Sequence, residues 1–430
     1  MNAPLRIGIA GLGTVGAGTL GLLAQHAELI ANRCGRPLEV TAVTARDRRK
    51  NRPVDISKLH WFDDPLALAA EPGIDVVVEL IGGADGPAKA VIERAIGAGK
   101  HVVTANKALL AHHGTALARS AEAAGVTIGY EASVAGGIPV IKALREGLAG
   151  NAVTSIYGIL NGTCNFILTA MRESGRSFDA ILEEAQRLGY AEADPSFDVD
   201  GWDAAHKLAI LTALAFGTEV DLKSIEVEGI RRVTPLDIAY ADELGLRVKL
   251  LGISRLVDGA VEQHVHPCLV DRRQPIAHVE GVFNAVVAQG DFVGNLLWEG
   301  RGAGAGPTAS AVVADLIDIA RGLYLPTFAI PADRLKKSRP LAAGRHVGCY
   351  YLRLMVVDRP GVIADIAAIL RDENISLESV LQRARAPGEG VPVVLTTHET
   401  SGAAIRRAIA RIDSLEAVVE APVTLRIESL

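Results

Sequence analysis

Apolar runs alternate with amphipathic stretches over the first 135 residues, and this pattern predicts a parallel sheet covered by helices. Short runs rich in β-branched residues indicate buried strands at 5–10, 38–44, 74–80 and 101–104. Helical stretches separate these runs, notably at 17–29 and 87–98, in the order expected of right-handed βαβ units. We therefore predict an α/β domain with a parallel sheet over residues 1–137.

The pattern changes after residue 138 and predicts a second, mixed α/β domain over 138–330. Helices are expected at 138–149, 165–172, 178–188 and 204–216, and a strand at 153–160. Later apolar strands are joined by Asp258-Gly259 and Gly290-Asp291, which indicate hairpins. A helix at 307–322 carries an apolar stripe, so we expect it to pack back on the first domain and complete it.

Residues 331–348 lack periodicity and indicate an exposed linker to a third domain over 349–430. Strand and helix patterns then follow in the order βαββαβ, with a turn at Pro387-Gly388. This order predicts a ferredoxin-like C-terminal domain.

Composition and charge narrow the range of partners. The chain has 430 residues, enough for about three domains at roughly 150 residues each. It carries 44 Lys and Arg against 50 Asp and Glu, a net charge of −6, which favours neither nucleic acid nor an anionic membrane. We therefore expect small-molecule partners.

The cysteines and the N-terminal segment bear on the compartment. Cysteines at 34, 164, 268 and 349 lack the close spacing of a disulfide framework or a zinc site. The uncharged segment 7–27 superficially resembles a signal peptide, but its six glycines are too many for such a helix. The sequence predicts a cytoplasmic protein that does not cross a membrane.

A glycine-rich turn between the first strand and the first helix predicts a dinucleotide site. Gly11, Gly13 and Gly16 have the spacing GxGxxG, with Thr14 and Val15 between the last two. Such glycines allow a tight turn and close approach of the backbone to a pyrophosphate, which the helix N-terminus attracts. The first domain is thus predicted to be Rossmann-like and to bind a nicotinamide dinucleotide.

The end of the second strand bears on the choice of dinucleotide. Arg46 stands where an acidic residue would accept the ribose 2′-hydroxyl of NAD, and an arginine suits the 2′-phosphate of NADP. Asp47 follows directly, which leaves NAD(H) open. We predict a preference for NADP(H).

An acidic loop precedes a strongly apolar helix. Segment 189–203 holds five carboxylates, and Lys207 follows the last of them, Asp203, by one helical turn. Burial lowers the pKa of a lysine toward the range useful for a general acid or base, whereas Asp203 opposes that shift. A structural ion pair and a catalytic lysine both remain open.

Two further segments are candidates for ligand contacts. Thr104 and Lys107 lie at the carboxyl end of a predicted parallel strand, where ligands of such folds bind. Glu131 precedes a loop of small residues whose carbonyl groups can hold a hard cation, although an interdomain turn is the simpler interpretation.

Three other residues receive a structural interpretation. His264 and His266 share one face of a predicted strand, but no third ligand is recognisable in the sequence. Cys164 has no recognisable base to activate it as a nucleophile.

These motifs together resemble the homoserine dehydrogenase family, in its monofunctional form with a C-terminal ACT domain. The resemblance covers nearly the whole chain and rests on the glycine turn, Thr104–Lys107, Tyr130–Val134 and the two most specific segments, 161–168 and 189–207. Cys164 departs from the family, in which many members have Thr, and we expect the change to be tolerated.

The resemblance implies reduction of L-aspartate 4-semialdehyde to L-homoserine in threonine, methionine and isoleucine biosynthesis. Lys207 matches the proton donor of the family. Lys107, which lies near nicotinamide and substrate in the family, and Asp203 are implied as further catalytic residues. The remaining implied roles are substrate binding by Glu192, Asp198 and Asp203, a sodium site at Glu131 with the carbonyls of Val134, Gly136 and Ile138, and cofactor contacts at Gly304 and Gly306.

The ACT resemblance implies an amino-acid effector, with L-threonine expected, and a homo-oligomer, either a dimer or a tetramer. The segment Asp358–Gly361 carries this resemblance, although an ACT domain can also serve only to dimerise a chain. Two alternatives are another ACT-bearing NAD(P) dehydrogenase and a non-catalytic NADP-binding sensor of amino acids. The first is disfavoured because the glycine turn begins as early as residue 11.

Overall fold

The computed structural model describes residues 3–342, 344–383 and 389–430. Its N-terminal part is a six-stranded sheet in which neighbouring strands run parallel. The strands, in the spatial order β3-β2-β1-β4-β5-β6, are β1 (Leu5–Ala10), β2 (Leu38–Thr44), β3 (His60–Trp61), β4 (Val76–Glu79), β5 (His101–Thr104) and β6 (Ile128–Gly129). The strand order reverses between β1 and β4, which is where ligands of doubly wound sheets bind.

Five helices connect these strands: α1 (Thr14–Gln25), α2 (Ala27–Cys34), α3 (Pro65–Ala70), α4 (Pro87–Gly97) and α5 (Lys107–Ala123). The single helix expected at 17–29 is wrong in its bounds. It begins at Thr14, directly after the glycine turn, and is interrupted at His26, whose φ of −113° and ψ of 23° leave helical geometry. The Rossmann-like parallel sheet predicted for this part of the chain is confirmed.

The central part of the chain is the expected mixture of helices and antiparallel strands. Its elements are α6 (Val140–Lys142), β7 (Val153–Ile159), α7 (Gly162–Ser174), α8 (Phe178–Arg187), α9 (Ser196–Val199), α10 (Trp202–Phe216), β8 (Glu226–Val227), α11 (Pro235–Glu243), β9 (Leu246–Val257), β10 (Ala260–Asp271), β11 (Phe283–Gly290), β12 (Gly294–Arg301) and α12 (Ala305–Ala320). Strands β9 and β10 pair across Asp258-Gly259, and β11 pairs with β12.

The regular helix predicted at 138–149 does not form. After α6 the chain makes a π-helical turn, Ala143–Gly147, in which the Leu148 N–H donates to the carbonyl of Ala143, five residues earlier. Such turns are rare and often occur near functional sites.

The C-terminal part has the predicted βαββαβ order with one additional short strand. Its elements are β13 (Val347–Val357), α13 (Val362–Asp372), β14 (Leu377–Gln382), β15 (Gly390–Thr397), β16 (Thr400–Ser401), α14 (Gly402–Asp413) and β17 (Val418–Glu428). The turn predicted at Pro387-Gly388 lies outside the described residues.

One sheet runs through both the central and the C-terminal parts. Its main path is β12-β11-β7-β9-β10-β17-β13-β15-β14. The junction is the parallel pairing of β10 with β17, which places Val270 opposite Glu428. The C-terminal domain is therefore hydrogen-bonded to the central sheet along a strand.

The segment 331–348 is less exposed than the sequence suggested. Ala332 and Leu335 are buried, and the carbonyls of Lys336 and Arg339 accept hydrogen bonds from Glu219 and Val261 at 2.8 Å each. Because the segment packs along the central domain, its apolar residues are buried by that contact. Sequence periodicity does not indicate such burial.

Helix α12 returns to the first domain and packs against α1. A Cβ added at Gly18 of α1 would lie 2.7 Å from the Ala305 carbonyl oxygen, so the helices approach closely there. Val312 and Leu316 of α12 share a core with Ile7 and Ile9 of β1. Among the helices of the described residues, none has both the length and the apolarity needed to cross a membrane.

Candidate active site

A cleft of about 620 Å³ lies between the parallel sheet and the central domain. The glycine turn contributes Val15, the segment after β5 contributes Ala105 and Lys107, and the loop after β6 contributes residues 132, 133 and 136. The remaining residues come from the central part of the chain and the start of α12. The charged and polar side chains that line the cleft are Lys107, Ser133, Asn161, Thr163, Tyr190, Glu192, Asp198, Asp203, Lys207, Asn284, Arg301 and Thr308.

The glycine turn has the geometry of a dinucleotide cradle. Gly11 has a φ of +110°, and a Cβ there would lie 2.4 Å from the Leu80 carbonyl oxygen. A Cβ at Gly16 would lie 2.1 Å from the Gly11 carbonyl oxygen, whereas one at Gly13 would meet open space. Gly13 is the N-cap of α1, whose first-turn N–H groups, including those of Thr14 and Val15, are available to an anion. These features fit the pyrophosphate of a dinucleotide.

Arg46 lies on an exposed loop directly after β2, at the same edge of the sheet as the glycine turn. Two basic neighbours contact an aromatic ring: the guanidinium groups of Arg48 and Arg52 lie 5.7 and 5.8 Å from the ring centre of Trp61. Arg52 also donates to the carbonyl of Leu12 in the glycine turn at 3.4 Å. The positive charge of this loop is thus placed beside the turn.

Thr104 ends β5 but its side chain faces the protein interior. Its hydroxyl donates to Glu79 Oε2 at 2.6 Å and accepts from the Asn106 N–H at 3.0 Å. Glu79, a buried carboxylate that the sequence analysis did not single out, also accepts the N–H groups of Ile81 and Gly82 at 2.8 and 3.0 Å. The Thr104 side chain therefore shapes the loop that carries Lys107.

Asp203 lies between two lysines on the floor of the cleft. Its Oδ2 accepts from Lys207 Nζ at 2.7 Å, and its Oδ1 lies 2.6 Å from Lys107 Nζ. Lys207 and Asp203 are buried, whereas the Lys107 side chain is 34% exposed. Lys207 Nζ also donates to the Leu160 carbonyl at 2.6 Å. Two of its three N–H groups are thus bound by the protein, and the third is available to a ligand.

The charges of this group shift one another's pKa values. Burial lowers the pKa of Lys207, and Asp203 only partly offsets this. For Lys107 burial acts in the same direction, but Asp203 outweighs it and the pKa is raised. Burial alone would raise the pKa of Asp203, yet the two lysines hold it well below its usual range. At neutral pH the group is a carboxylate between two cations, of which Lys207 releases its proton more readily.

The acidic loop approaches this group through Asn161. The Asn161 side chain donates to both Asp198 Oδ1 and Asp203 Oδ2 at 2.8 Å, and its own oxygen caps α7 by accepting from Cys164 N–H. Burial, together with Asp203, raises the pKa of Asp198. Glu192 lies on the same loop, is exposed and lines the cleft. Three carboxylates of the loop therefore face one cleft.

Asn284 of β11 is a cleft residue that the sequence analysis missed. Its Nδ2 donates to the Leu160 carbonyl at 3.1 Å. Its Oδ1 is buried and accepts no hydrogen bond from the residues that the structure describes. The available signal was a polar residue in the otherwise apolar run 283–288.

Glu131 is buried at the start of its small-residue loop. Its carboxylate accepts the N–H groups of Ile141 and Lys142 at 2.8 and 2.9 Å, at the start of α6. Burial and the nearby Asp315 carboxyl raise the pKa of Glu131 to about 7. Asp315 of α12, another residue that the sequence analysis missed, accepts the Glu131 N–H at 2.8 Å. Two buried carboxyl groups this close favour a nearby positive charge.

The carbonyl-bearing part of this loop has the conformation of a tight turn. Ala135 and Gly136 both have a φ of +55°. The Ile138 carbonyl accepts from Val140 N–H, and the Val134 N–H donates to the Glu131 carbonyl, so this loop is also held by its own hydrogen bonds. Carboxylate and carbonyl oxygens are the donors that hard cations prefer.

The glycine-rich segment 301–306 closes the cleft next to this loop. A Cβ at Gly136 would lie 2.4 Å from the Gly302 carbonyl oxygen, so the two segments touch. Gly304 has a φ of +117° and is the N-cap of α12, and a Cβ at Gly306 would meet open space. The segment thus runs from the cleft to the face of α1.

Cys164 is fully buried, and its Sγ donates to the Asp198 carbonyl at 3.2 Å. Burial raises its pKa well above the usual value, which disfavours the nucleophilic thiolate.

Family models match the chain in three places. The homoserine dehydrogenase model matches residues 139–317, its NAD-binding domain model residues 11–131, and the ACT domain model residues 350–416. The chain is 47% identical to a homoserine dehydrogenase of Pseudomonas aeruginosa and 37% identical to one of Bacillus subtilis. The first alignment covers 99% of each chain, and the second covers 99% of this chain and 98% of the relative.

Solved structures agree with these matches. The fold is similar to that of a homoserine dehydrogenase from Thiobacillus denitrificans, with a TM-score of 0.93, 46% identity and coverage of 99% of this chain and 98% of that one. A hyperthermophilic archaeal homoserine dehydrogenase in complex with NADPH matches 73% of this chain and 97% of its own, with a TM-score of 0.63 and 30% identity. The chain therefore belongs to the homoserine dehydrogenase family and is an NAD(P)-dependent oxidoreductase.

Proposed function

We propose that this cleft reduces L-aspartate 4-semialdehyde to L-homoserine, reversibly, and that Lys207 donates the proton to the developing alkoxide. The observation that carries the proposal is the position of Lys207 Nζ. It is buried at the cleft and donates to Asp203 and to the Leu160 carbonyl, which leaves its third N–H for the substrate. Burial makes this ammonium a better acid than a surface lysine. In the reverse direction the neutral amine accepts the proton from homoserine.

The other charged residues of the cleft suit a substrate that is itself an amino acid. Glu192 and Asp198 line the cleft and would bind its ammonium group, because hydrogen bonds between opposite charges are strong. Asp203, bound to both lysines, orients them and completes the negative side of the pocket. Lys107, partly exposed beside Asp203, would contact both the substrate and the nicotinamide.

NADP(H) is the proposed cofactor, with NAD(H) as a weaker alternative. When bound, it supplies or accepts the hydride. Gly11, Gly13, Thr14, Val15 and Gly16 would hold the pyrophosphate, and Arg46 would bind the 2′-phosphate. The archaeal relative in complex with NADPH supports a nicotinamide cofactor. On the opposite side, the loop at Thr104 and Lys107 and the segment with Gly304 and Gly306 would enclose the nicotinamide half.

A sodium ion is proposed at the Glu131 loop, with Glu131 and the carbonyls of Val134, Gly136 and Ile138 as its ligands. The raised pKa of Glu131 supports this, because a cation would stabilise its buried carboxylate. The ion would hold the loop against segment 301–306 and so order the cleft.

We further propose a metabolic setting and a mode of control. The reaction belongs to threonine, methionine and isoleucine biosynthesis, in the cytoplasm, in a dimer or tetramer. The ACT domain suggests an amino-acid effector, and L-threonine acting near the loop Asp358–Gly361 is the specific proposal.

The proposed domains are an NAD(P)-binding domain over residues 1–137, a catalytic domain over 138–330 and an ACT domain over 349–430. Residues 331–348 link the second domain to the third, and the helix at 307–322 completes the first.

One assay tests these points together. Purified protein is mixed with L-homoserine and either NADP or NAD, and absorbance of the reduced nicotinamide is followed with and without L-threonine. Homoserine-dependent reduction, faster with NADP and slowed by threonine, supports the proposals on substrate, cofactor and effector. Nicotinamide binding without homoserine-dependent reduction would overturn the substrate assignment, and unchanged rate and oligomeric state at saturating threonine would overturn that of the effector.

A further inference from the structure

A second cluster of chemically active side chains lies outside the cleft, where β17 of the ACT domain pairs with β10. His264 and His266 stand on one face of β10, and Glu428 reaches them from β17. All three are buried, with 1%, 6% and 4% of their surface exposed. The third ligand that the sequence did not reveal for the two histidines is thus supplied by the other domain.

The three side chains converge as ligands do around a metal ion. Glu428 Oε1 lies 3.6 Å from His264 Nε2 and 3.3 Å from His266 Nε2, and one ligand atom from each residue falls within 4.8 Å of the others. In a tetrahedral site with bonds of 2.0–2.1 Å, ligand atoms lie about 3.3 Å apart. The imidazole rings are stacked, with centres 4.2 Å apart and planes at 13°, so they present their edges in a similar direction.

One atom of the cluster lacks a partner. His264 Nε2 is buried and makes no hydrogen bond within the described part of the chain. Burial lowers the pKa of both histidines, so they are neutral at physiological pH, the form that binds metal ions.

The surroundings provide a second layer that orients the ligands. Arg255 binds the other carboxylate oxygen of Glu428. Glu262 Oε1 lies 3.7 Å from His264 Nδ1 and contacts His346 Nδ1 at 2.5 Å. The contact with His346 is a hydrogen bond, whereas 3.7 Å is too long for one, so Glu262 adds negative charge beside His264 without fixing its tautomer.

The charge of the cluster tolerates a cation. Arg426 lies 3.3 Å from both His264 Nδ1 and Glu226 Oε2. The carboxylates of Glu226, Glu262 and Glu428 outnumber the guanidinium groups of Arg255 and Arg426 by one, with the histidines neutral. Arg426 Nη1 donates to His264 Nδ1, so a metal ion at Nε2 requires the ring proton to move from Nε2 to Nδ1 and the guanidinium to shift toward its other partner, Glu226.

The cluster is accessible from two small cavities. One, of about 40 Å³, is lined by His264 and His346, and the other, of about 270 Å³, by His266, Tyr350 and Arg426. They provide an entry path and room for a water molecule as the fourth ligand.

We propose that His264, His266 and Glu428 bind a divalent transition-metal ion such as Zn²⁺, which joins the ACT domain to strand β10 of the central domain. Two imidazoles and a carboxylate form a ligand set that zinc and its first-row neighbours use. Because the ligands come from both domains, the ion would resist separation of β17 from β10. This site is independent of the proposed chemistry of the cleft.

The test uses the full chain, freed of any affinity tag and dialysed against a chelator. ZnCl₂ is titrated by calorimetry and CoCl₂ by visible absorption, and thermal unfolding is recorded with and without Zn²⁺. We expect one ion per chain, visible bands typical of low-coordinate Co²⁺, and a rise in Tm. His266→Gln and Glu428→Gln should weaken binding at least tenfold and abolish the rise in Tm, whereas the exposed His398→Gln should match the unaltered protein.

Two outcomes would overturn the proposal, and the first needs only the unaltered protein. If it takes up neither Zn²⁺ nor Co²⁺ at millimolar concentration, the cluster is only a hydrogen-bonded contact between the domains. Stoichiometric uptake that persists in correctly folded His266→Gln and Glu428→Gln, checked by circular dichroism, would place the ion elsewhere and also contradict it.

Discussion

Lys207 and Asn284 donate hydrogen bonds to the same acceptor, the carbonyl oxygen of Leu160, at 2.6 and 3.1 Å. Leu160 directly follows β7, Asn284 belongs to β11, which pairs with β7, and Lys207 lies on α10. Three separate elements thus fix the position of one ammonium group. Such a fixed donor can transfer a proton without first reorganising, which favours catalysis.

Lys207→Ala should abolish most turnover while leaving cofactor binding intact. Loss of a general acid lowers kcat by about 10²–10⁴-fold, and the glycine turn that would hold the cofactor is untouched. Steady-state rates and the Kd for NADPH from nicotinamide fluorescence measure the two effects. Lys89→Ala on α4, which removes only a surface pair with Glu93, is the control. A kcat near that of the unaltered protein would exclude Lys207 as the proton donor.

Two neighbouring glycines should respond differently to alanine. Gly16→Ala places a methyl group against the Gly11 carbonyl and should destabilise the fold by roughly 1–3 kcal/mol, the usual cost of overpacking. Gly13 has a φ of −78° and open space beyond it, so Gly13→Ala should fold normally. The added methyl would instead stand where the pyrophosphate approaches, and the Kd for NADPH should rise.

Urea unfolding and NADPH titration of both variants separate the two effects. Equal cofactor affinity in Gly13→Ala and the unaltered protein would show that the dinucleotide does not use this turn.

Arg46→Asp should reverse the preference between the two dinucleotides. A hydrogen bond to a charged group contributes about 1.5–3 kcal/mol, so kcat/KM with NADPH should fall roughly tenfold or more. The value with NADH should be unchanged or higher, since an acid can accept the ribose 2′-hydroxyl. Arg49→Ala, on the same exposed loop, controls for a general loss of positive charge. A parallel fall with both cofactors would contradict specific binding of the 2′-phosphate by Arg46.

Glu131 should make stability depend on pH in a way that sodium suppresses. Burial and Asp315 raise its pKa from 4.5 to about 7 in the folded state. The folded chain then holds this proton more tightly than the unfolded one, so the contribution to stability is full below pH 4.5 and is lost as pH rises through 7. Glu131→Gln cannot titrate and should lack this loss.

Urea unfolding between pH 5 and 8, in choline chloride and in sodium chloride, measures the effect. In choline the stability of the unaltered protein should fall relative to Glu131→Gln by roughly 1–3 kcal/mol as pH rises. In sodium chloride a bound cation should reduce that difference. Identical curves in both salts would remove the support for a cation at this loop.

Much of the fold was predictable because its determinants are local. Four of the six strands of the first sheet, the two hairpins and the βαββαβ order follow from side-chain periodicity and turn residues within short windows. The two-residue strands β3 and β6 are too short to leave such a pattern and were not predicted. The glycine turn was equally accessible, since the close approach of Gly16 to Gly11 spans only five residues. Side-chain periodicity gave the wrong helix bounds where tertiary packing determined the backbone, as in the break at His26 and the π-helical turn after α6.

The sequence by itself determined that Asp203 and Lys207 lie one turn apart on a helix, because the helical repeat requires it. Only the tertiary structure brought Lys107 to the other oxygen of Asp203, and Asn284 to the carbonyl that Lys207 uses. It also joined β17 to β10 and so carried Glu428 to His264 and His266. Such contacts join residues far apart in the chain, and they depend on how whole elements pack, which periodicity does not encode.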